Sequence, residues 1–277
     1  MTRSPGLEEH PVIAPKLAVT VLRAPAEPAR VVALMPGLGT AVSGTWDTTA
    51  EHLAADSHVI ALDLPGHGRS PAWDAAGEAP SMEWLARATD ATIEAELEEA
   101  GLNGLPLHFA GISLAGGLAL QLALDHAGRF SSTAVICSAA AIGQPSAWTQ
   151  RAEAVRSDGT ASLAEGAASR WFAPAFPAAE PGAVHQLTQT LREADDESYA
   201  LLCEALGSFD LTGRLDEISI PVLAVAGEHD AVTPAEQAAA IGAGVHLSTV
   251  HVLSDAAHQA PTERPAETAK LLNDFLD

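Results

Sequence analysis

The strongest constraint on this chain is an alternation. Six short apolar runs, at residues 31–35, 59–62, 107–109, 134–137, 222–226 and 249–253, are each closed by Gly, Pro, Asp or Ser. Longer segments of helical period lie between them. Runs of this length bounded by turn formers read as buried strands. The helical segments have readable ends. Ser81 can cap a helix running through Trp84, Leu85, Ile93 and Leu97, and Gly101 stands just past its end. Thr233-Pro234-Ala235-Glu236 has the pattern of a capping box with proline at the first helical position, and Gly242 would close that helix. Alternating strands and helices imply the α/β class: a mostly parallel sheet with helices on both faces.

The alternation fails once. Between about residues 144 and 216 only helical patterns occur, at 148–155, 161–171 and 197–206. Ala173-Pro174-Ala175-Phe176-Pro177 and Glu180-Pro181-Gly182 interrupt them. This region reads as a helical cap, residues 144–216, inserted into a core made of residues 1–143 and 217–277. Residues 1–15 form a weakly specified leader, and no internal repeat is visible.

Composition narrows the partners. Fourteen Lys+Arg against 36 Asp+Glu give a formal net charge of −22. Binding phosphate backbones or an anionic membrane surface needs a cationic face, so nucleic acid and membrane are excluded as expected partners. No stretch approaches the roughly 20 apolar residues that span a bilayer. The N-terminus carries Glu8 and Glu9 early and lacks the apolar core of a signal peptide. Cys137 and Cys203 are the only cysteines; one pair makes no disulfide framework, and Cys137, inside an apolar run, reads as a small buried thiol. A soluble, reduced, cytoplasmic protein is expected, and nothing in the sequence fixes its oligomeric state.

The chemistry gathers at strand ends. Gly111-Ile112-Ser113-Leu114-Ala115-Gly116-Gly117 follows one apolar run and opens an apolar helix. A serine on a sharp strand-to-helix turn needs small neighbours, and the turn lifts its hydroxyl clear of the sheet. Alone, Gly-x-Ser is a weak signal: Gly68-Arg69-Ser70 matches it too, and a serine opening a helix can simply cap it. Other strand ends add to it. Pro36-Gly37-Leu38-Gly39 is a glycine-rich turn able to present a backbone N–H. Asp63-Leu64-Pro65-Gly66-His67-Gly68-Arg69-Ser70 is a structural turn in which His67 is a loop residue rather than a base. Asp230, in Gly227-Glu228-His229-Asp230, sits between a strand and a helix, where a carboxylate can accept an imidazole Nδ1–H or satisfy loop amides. His258 follows the last apolar run. Residues beyond the carboxyl ends of an open parallel sheet share one crevice, and Ser113, Asp230 and His258 occur in the order Ser…Asp…His.

With these residues in view, the sequence resembles the α/β-hydrolase family from about residue 31 to 276. The resemblance rests on Pro36-Gly37-Leu38-Gly39, Asp63-x-Pro-Gly-x-Gly-x-Ser70, Gly111-x-Ser113, Gly227-x-x-Asp230 and His258. Two positions depart from the family pattern: the loop that often begins His-Gly begins Pro36-Gly37, and residue 115 is Ala where Gly is commoner. Within the helical region, Ser138 to Trp148, Arg170-Trp171-Phe172 and Ser198 to Leu206 look like the 3-oxoadipate enol-lactonases, cytoplasmic hydrolases of bacterial aromatic-compound breakdown.

That resemblance implies the α/β-hydrolase fold and a serine hydrolase that opens a small, carboxylate-bearing lactone or ester. Ser113 would be the nucleophile, His258 the general base and Asp230 its orienting carboxylate. The N–H groups of Leu38 and Leu114 would form the oxyanion hole. The reaction needs no metal or organic cofactor. A carboxylate on the substrate would call for a local cation, for which Arg170 beside Trp171 is the first candidate, with Trp148 as an apolar wall. The competing assignment makes Arg170 a surface residue and both tryptophans packing. Three rival functions share these residues: a general carboxylesterase or haloperoxidase-like hydrolase, a C–C bond hydrolase of ring-cleavage products, and a ligand-binding receptor that keeps the fold without the chemistry. An Asp-nucleophile enzyme is ruled out by Ser113.

Overall fold

The computed structural model describes residues 17–73 and 79–276, so the leader expected at residues 1–15 lies outside the described residues. Seven strands form one sheet: β1 Val19–Arg23, β2 Arg30–Met35, β3 Ser57–Leu62, β4 Leu107–Ile112, β5 Ser132–Ile136, β6 Val222–Gly227 and β7 Ser248–Leu253. Their order is β1-β3-β2-β4-β5-β6-β7, with β1 antiparallel to β3 and every other pair parallel. The fold is the α/β-hydrolase fold.

Strand periodicity builds both faces of the core. Val31, Ala33 and Met35 of β2 pack on one face with Leu85 of the helix Met82–Ala100 and Leu118 of the helix Leu114–Asp125. Val32 and Leu34 pack on the other with Trp46, Ala50 and Leu272 of the helix Pro265–Leu276. Strands buried on both faces read as unbroken apolar runs, which is why β2 to β6 are visible in sequence.

The differences from expectation have physical causes. β1 was not expected at all; it is only half buried, and its Val-Thr-Val-Leu-Arg sequence is read by antiparallel pairing at the sheet margin. β7, expected as a buried strand, is an edge strand exposed along most of its length. Glu180-Pro181-Gly182 interrupts the helical run as expected, since Glu180 ends the helix Phe176–Ala179, but it also opens a helix. Pro181 starts one, Pro181–Glu193, because proline's missing N–H costs nothing in the first turn. Gly242 does not close the helix Ala235–Gly244, which continues to Gly244. The ends read from Ser81 and Gly101 do form: Ser81 Oγ accepts the Trp84 N–H at 3.2 Å, and Gly101 turns left-handed at φ 68°.

Between β5 and β6 the described residues hold helices and no strand, chiefly Pro145–Asp158, Ala167–Trp171, Pro181–Glu193 and Asp196–Ser208. They have an apolar cluster of their own, including Val155, Leu187, Leu191 and Cys203. The helix Asp196–Ser208 is apolar on two sides. Tyr199, Ala200 and Cys203 face that cluster, while Leu202, Ala205 and Leu206 pack on the sheet-side core. Asp195 caps this helix through Ser198 N–H at 2.9 Å, and its own N–H donates to Gly66 O at 2.8 Å. The loop Asp63–Ser70 is thereby fastened to the helical region. No described helix is long and apolar enough to cross a membrane.

Candidate active site

Four strand ends converge at the carboxyl edge of the sheet. Ser113, directly after β4, has φ 56° and ψ −118°, a left-handed conformation that is strained for a residue with a side chain. Gly111 permits the turn. A Cβ there would stand 2.0 Å from Ala115 O and 2.9 Å from Ala115 Cβ, so the alanine at 115 is accommodated by having no side chain at 111. Gly37 serves similarly, since a Cβ at that position would lie 3.0 Å from Ser113 Cβ. Ser113 occupies the capping position of the helix Leu114–Asp125, yet its side chain caps nothing. Its hydroxyl lies 2.9 Å from His258 Nε2.

His258 Nδ1 in turn lies 2.9 Å from Asp230 Oδ2, and both side chains are almost wholly buried. Asp230 is fully engaged. Oδ1 accepts the N–H groups of Val232 and Thr233 at 2.8 and 3.0 Å, and Oδ2 accepts the Thr233 hydroxyl at 2.8 Å. Burial pushes the Asp230 pKa up, but the bonds from His258 and Thr233 outweigh it and hold the carboxyl below its ordinary value. An ionised Asp230 only accepts, so Nδ1 carries the proton and Nε2 is left to accept from Ser113. Thr233 therefore does not form the expected capping box. Pro234 occupies the cap, with no side-chain hydrogen bond, and the Thr233 hydroxyl is spent on Asp230.

A second carboxylate supports His258 and carried no motif signal. Glu263 is buried; Oε1 accepts the Ala257 N–H at 2.9 Å and Oε2 accepts the Ala173 N–H at 2.6 Å. Burial raises its pKa against those amide donors. Gln259 N–H also donates to Trp171 O at 3.0 Å, so the turn bearing His258 is stitched to the segment after Trp171. Cys137 is buried with a strained φ of 46°, and burial drives its thiol pKa up. His67 is buried too: its Nδ1 lies 2.8 Å from Pro65 O, and burial lowers its pKa to about 4.

Over Ser113 and His258 lies a cavity of about 220 Å³. Leu38 contributes to its wall, while the Leu114 side chain is fully buried in the core. Among the described residues, neither the Leu38 nor the Leu114 N–H has a hydrogen-bond partner. Trp148, Arg170 and Trp171 all line the cavity. Arg170 is exposed overall but reaches this wall, where burial and then the nearby Arg151 charge lower its pKa. Arg151 was missed in sequence. It lies 5.2 Å over the Trp148 ring, one helical turn from it, and its charge works against the burial that pushes the Tyr199 pKa up to about 12. The Trp148-x-x-Arg151 spacing was the available signal. No described Asp or Glu lines the cavity. Elsewhere, exposed Glu228, His229 and Asp255 bring potential metal-ligand atoms within 4.8 Å of one another, and Glu228 already accepts the Asp255 N–H.

Comparison with known proteins agrees with this architecture. Residues 32–271 match the alpha/beta hydrolase family. 3-Oxoadipate enol-lactonase 2 of Acinetobacter baylyi is 34% identical over 228 residues, covering 82% of this chain and 81% of its own. 3-Oxoadipate enol-lactonase 1 of the same organism is 30% identical over 250 residues, 90% of each chain. The crystal structure of the enol-lactonase from Burkholderia xenovorans LB400 superimposes with a TM-score of 0.84 at 28% identity, covering 94% of this chain and 96% of that one. With a family match across most of its length and a Ser, an Asp and a His at three of its strand ends, the chain belongs to the α/β-hydrolase family.

Proposed function

We propose that this protein is an enol-lactonase-like serine hydrolase that opens a small lactone bearing a carboxylate, such as 3-oxoadipate enol-lactone. The observation that carries the reading is the charge of the cavity. In a chain with 36 acidic and 14 basic residues, the wall around Ser113 and His258 contains Arg151 and Arg170 and no described carboxylate. The global field repels an anion, so two guanidiniums must supply the local attraction. The relatives named above are enol-lactonases, which supports the same substrate class. The chain is an ester-hydrolysing enzyme of its family. The finer placement we propose, as the resemblance implies, is in the cytoplasmic breakdown of aromatic compounds.

The steps follow from the geometry. Ser113 Oγ attacks the lactone carbonyl as its proton passes to His258 Nε2, and Asp230 stabilises the imidazolium through Nδ1. The tetrahedral oxyanion accepts the free N–H groups of Leu38 and Leu114; losing one such donor typically costs about 100- to 1000-fold. His258 protonates the departing enol oxygen, the ring opens, and the enol relaxes to a ketone. Water attacks the acyl-enzyme with His258 again as base. Residues 144–216 act as a cap on the core of residues 1–143 and 217–277, with Trp148 and Trp171 as apolar walls.

A turnover panel tests the reading: 3-oxoadipate enol-lactone, a neutral butyrate ester and a dienoate ring-cleavage product. The lactone is expected to have the highest kcat/KM. A clear preference for the butyrate ester would make the protein a general carboxylesterase, and preference for the dienoate a C–C bond hydrolase.

A further inference from the structure

The backbone of Ser113 is gripped from both sides by the end of the neighbouring strand β5. Its N–H donates to Ile136 O at 2.9 Å, and its carbonyl accepts the Ser138 hydroxyl at 2.6 Å. The same carbonyl accepts the Gly116 and Gly117 N–H groups at 2.9 and 3.1 Å, as the opening carbonyl of the helix Leu114–Asp125. Those two bonds tie it to the helix, and the Ser138 bond ties it to the sheet. Ser138 is buried and does not line the cavity, so it acts on Ser113 and not on a substrate. Gly116 makes room for it: a Cβ there would stand 2.5 Å from Ser138 Cβ and 2.9 Å from its Oγ.

What this bond controls follows from peptide geometry. The Ser113 carbonyl and the Leu114 N–H belong to one planar trans unit, so they point in opposite directions and turn together. A donor held on the oxygen therefore fixes where the N–H on the far side points, and it also polarises the unit, which strengthens that N–H as a donor. Ser113 needs such a hold, because its φ of 56° and ψ of −118° lie outside the ordinary minima. Without it, a change in ψ relieves the strain and carries the Leu114 N–H away. We propose that Ser138 is a positioning residue of the oxyanion hole, whose hydroxyl holds the Ser113–Leu114 peptide so that the Leu114 N–H faces the reacting oxygen. This rests on the serine-hydrolase reading above. The Ser138 hydroxyl keeps its proton throughout and exchanges none with the substrate or with His258.

The test reads the oxyanion hole itself. Ser138→Ala and Ser138→Cys are compared with wild type on p-nitrophenyl acetate and against a short-chain alkyl trifluoromethyl ketone. Ser113 Oγ adds to the ketone, and the hemiketal oxygen that forms occupies the hole. The pKa of that hemiketal, titrated by fluorine NMR, falls as the N–H groups are better aimed. For Ser138→Ala, kcat/KM should fall about 10-fold, less than the roughly 100- to 1000-fold of a deleted donor, because the N–H is misaimed and not removed. The inhibition constant of the ketone should rise by a similar factor, and the hemiketal pKa by about 1, which is the same tenfold. Ser138→Cys is a weaker donor and should fall between the two; it fills the same space, so it carries the test if the alanine variant does not fold. The ketone constant and the hemiketal pKa are properties of each folded site, so a partly unfolded preparation does not mimic their change. If both stay at the wild-type values in the two variants, the proposal is overturned, whatever happens to kcat. Failure of the underlying reading looks different: wild type forms no adduct and Ser113→Ala keeps its turnover, or the wild-type hemiketal titrates like the free ketone hydrate.

Discussion

The two sides of the cavity are built in different ways. On the core side, position is dictated by backbone. Ser113 is held at a positive φ with no room for a side chain at Gly111, and Asp230 spends both oxygens on four donors. On the helical side, long side chains line the cavity, with Arg151 lying over the Trp148 ring and Arg170 reaching the wall from a largely exposed position. The first arrangement tolerates almost no adjustment; the second tolerates a good deal. Under the proposed function the contrast amounts to a division of labour: bond-making groups are fixed by the sheet, and the choice of substrate is left to the inserted helices. The turn carrying His258 joins the two, through Glu263 and through the bond from Gln259 N–H to Trp171 O.

Substitutions can break that comparison at either side, and the largest effect belongs to the core. Ser113→Ala should lower kcat by at least about 10⁴-fold for every substrate, charged or neutral, with an unchanged melting temperature. Steady-state kinetics beside thermal unfolding checks this. On the helical side, Arg151→Ala and Arg170→Ala should each raise KM for an anionic lactone about 10-fold while leaving a neutral ester nearly untouched. Equal effects on the two substrates would merge the two sides into one. Thr233→Val removes one of four donors to Asp230 and should cost about 3- to 10-fold in kcat, again without regard to substrate charge.

The smallest effect concerns stability and pH. Burial holds the His67 pKa at about 4, below its ordinary 6.5. Between those values the unfolded chain takes up a proton that the folded chain refuses, so stability is lost as pH falls from 6.5 toward 4, by up to about 3 kcal/mol. His108, also near 4 through burial and the charge of Arg30, adds in the same direction. Denaturant midpoints at pH 7 and pH 4.5 should differ less in His67→Gln than in wild type. Parallel shifts in the two proteins would remove His67 from the account.

The same division explains what could be read from sequence. Ser113 and Asp230 stand where β4 and β6 end, and those strands are legible because burial on both faces leaves unbroken apolar runs; His258 follows β7, an exposed edge strand that Val250, Val252 and Leu253 still make legible. β1 escaped because it is half exposed and defined by its antiparallel partner β3 rather than by its own pattern. The Thr233 hydroxyl was assigned to the helix beside it; only the fold shows that Asp230 claims it. Arg151 and Glu263 escaped for a related reason. The Trp148-x-x-Arg151 spacing is a weak local signal, and nothing local distinguishes a buried carboxylate bridging Ala173 and Ala257 from ordinary surface charge. Motifs report backbone turns well, and they report poorly on which partner a side chain takes up.

The most direct test of the division is a single ratio. The kcat/KM for 3-oxoadipate enol-lactone, divided by that for its neutral methyl ester, is measured in wild type and in the Arg151→Ala, Arg170→Ala double variant. The ratio should drop about 100-fold in the double variant, while kcat for the ester stays within about threefold of wild type. An unchanged ratio, or an equal loss for both substrates, would contradict the assignment of substrate choice to the inserted helices.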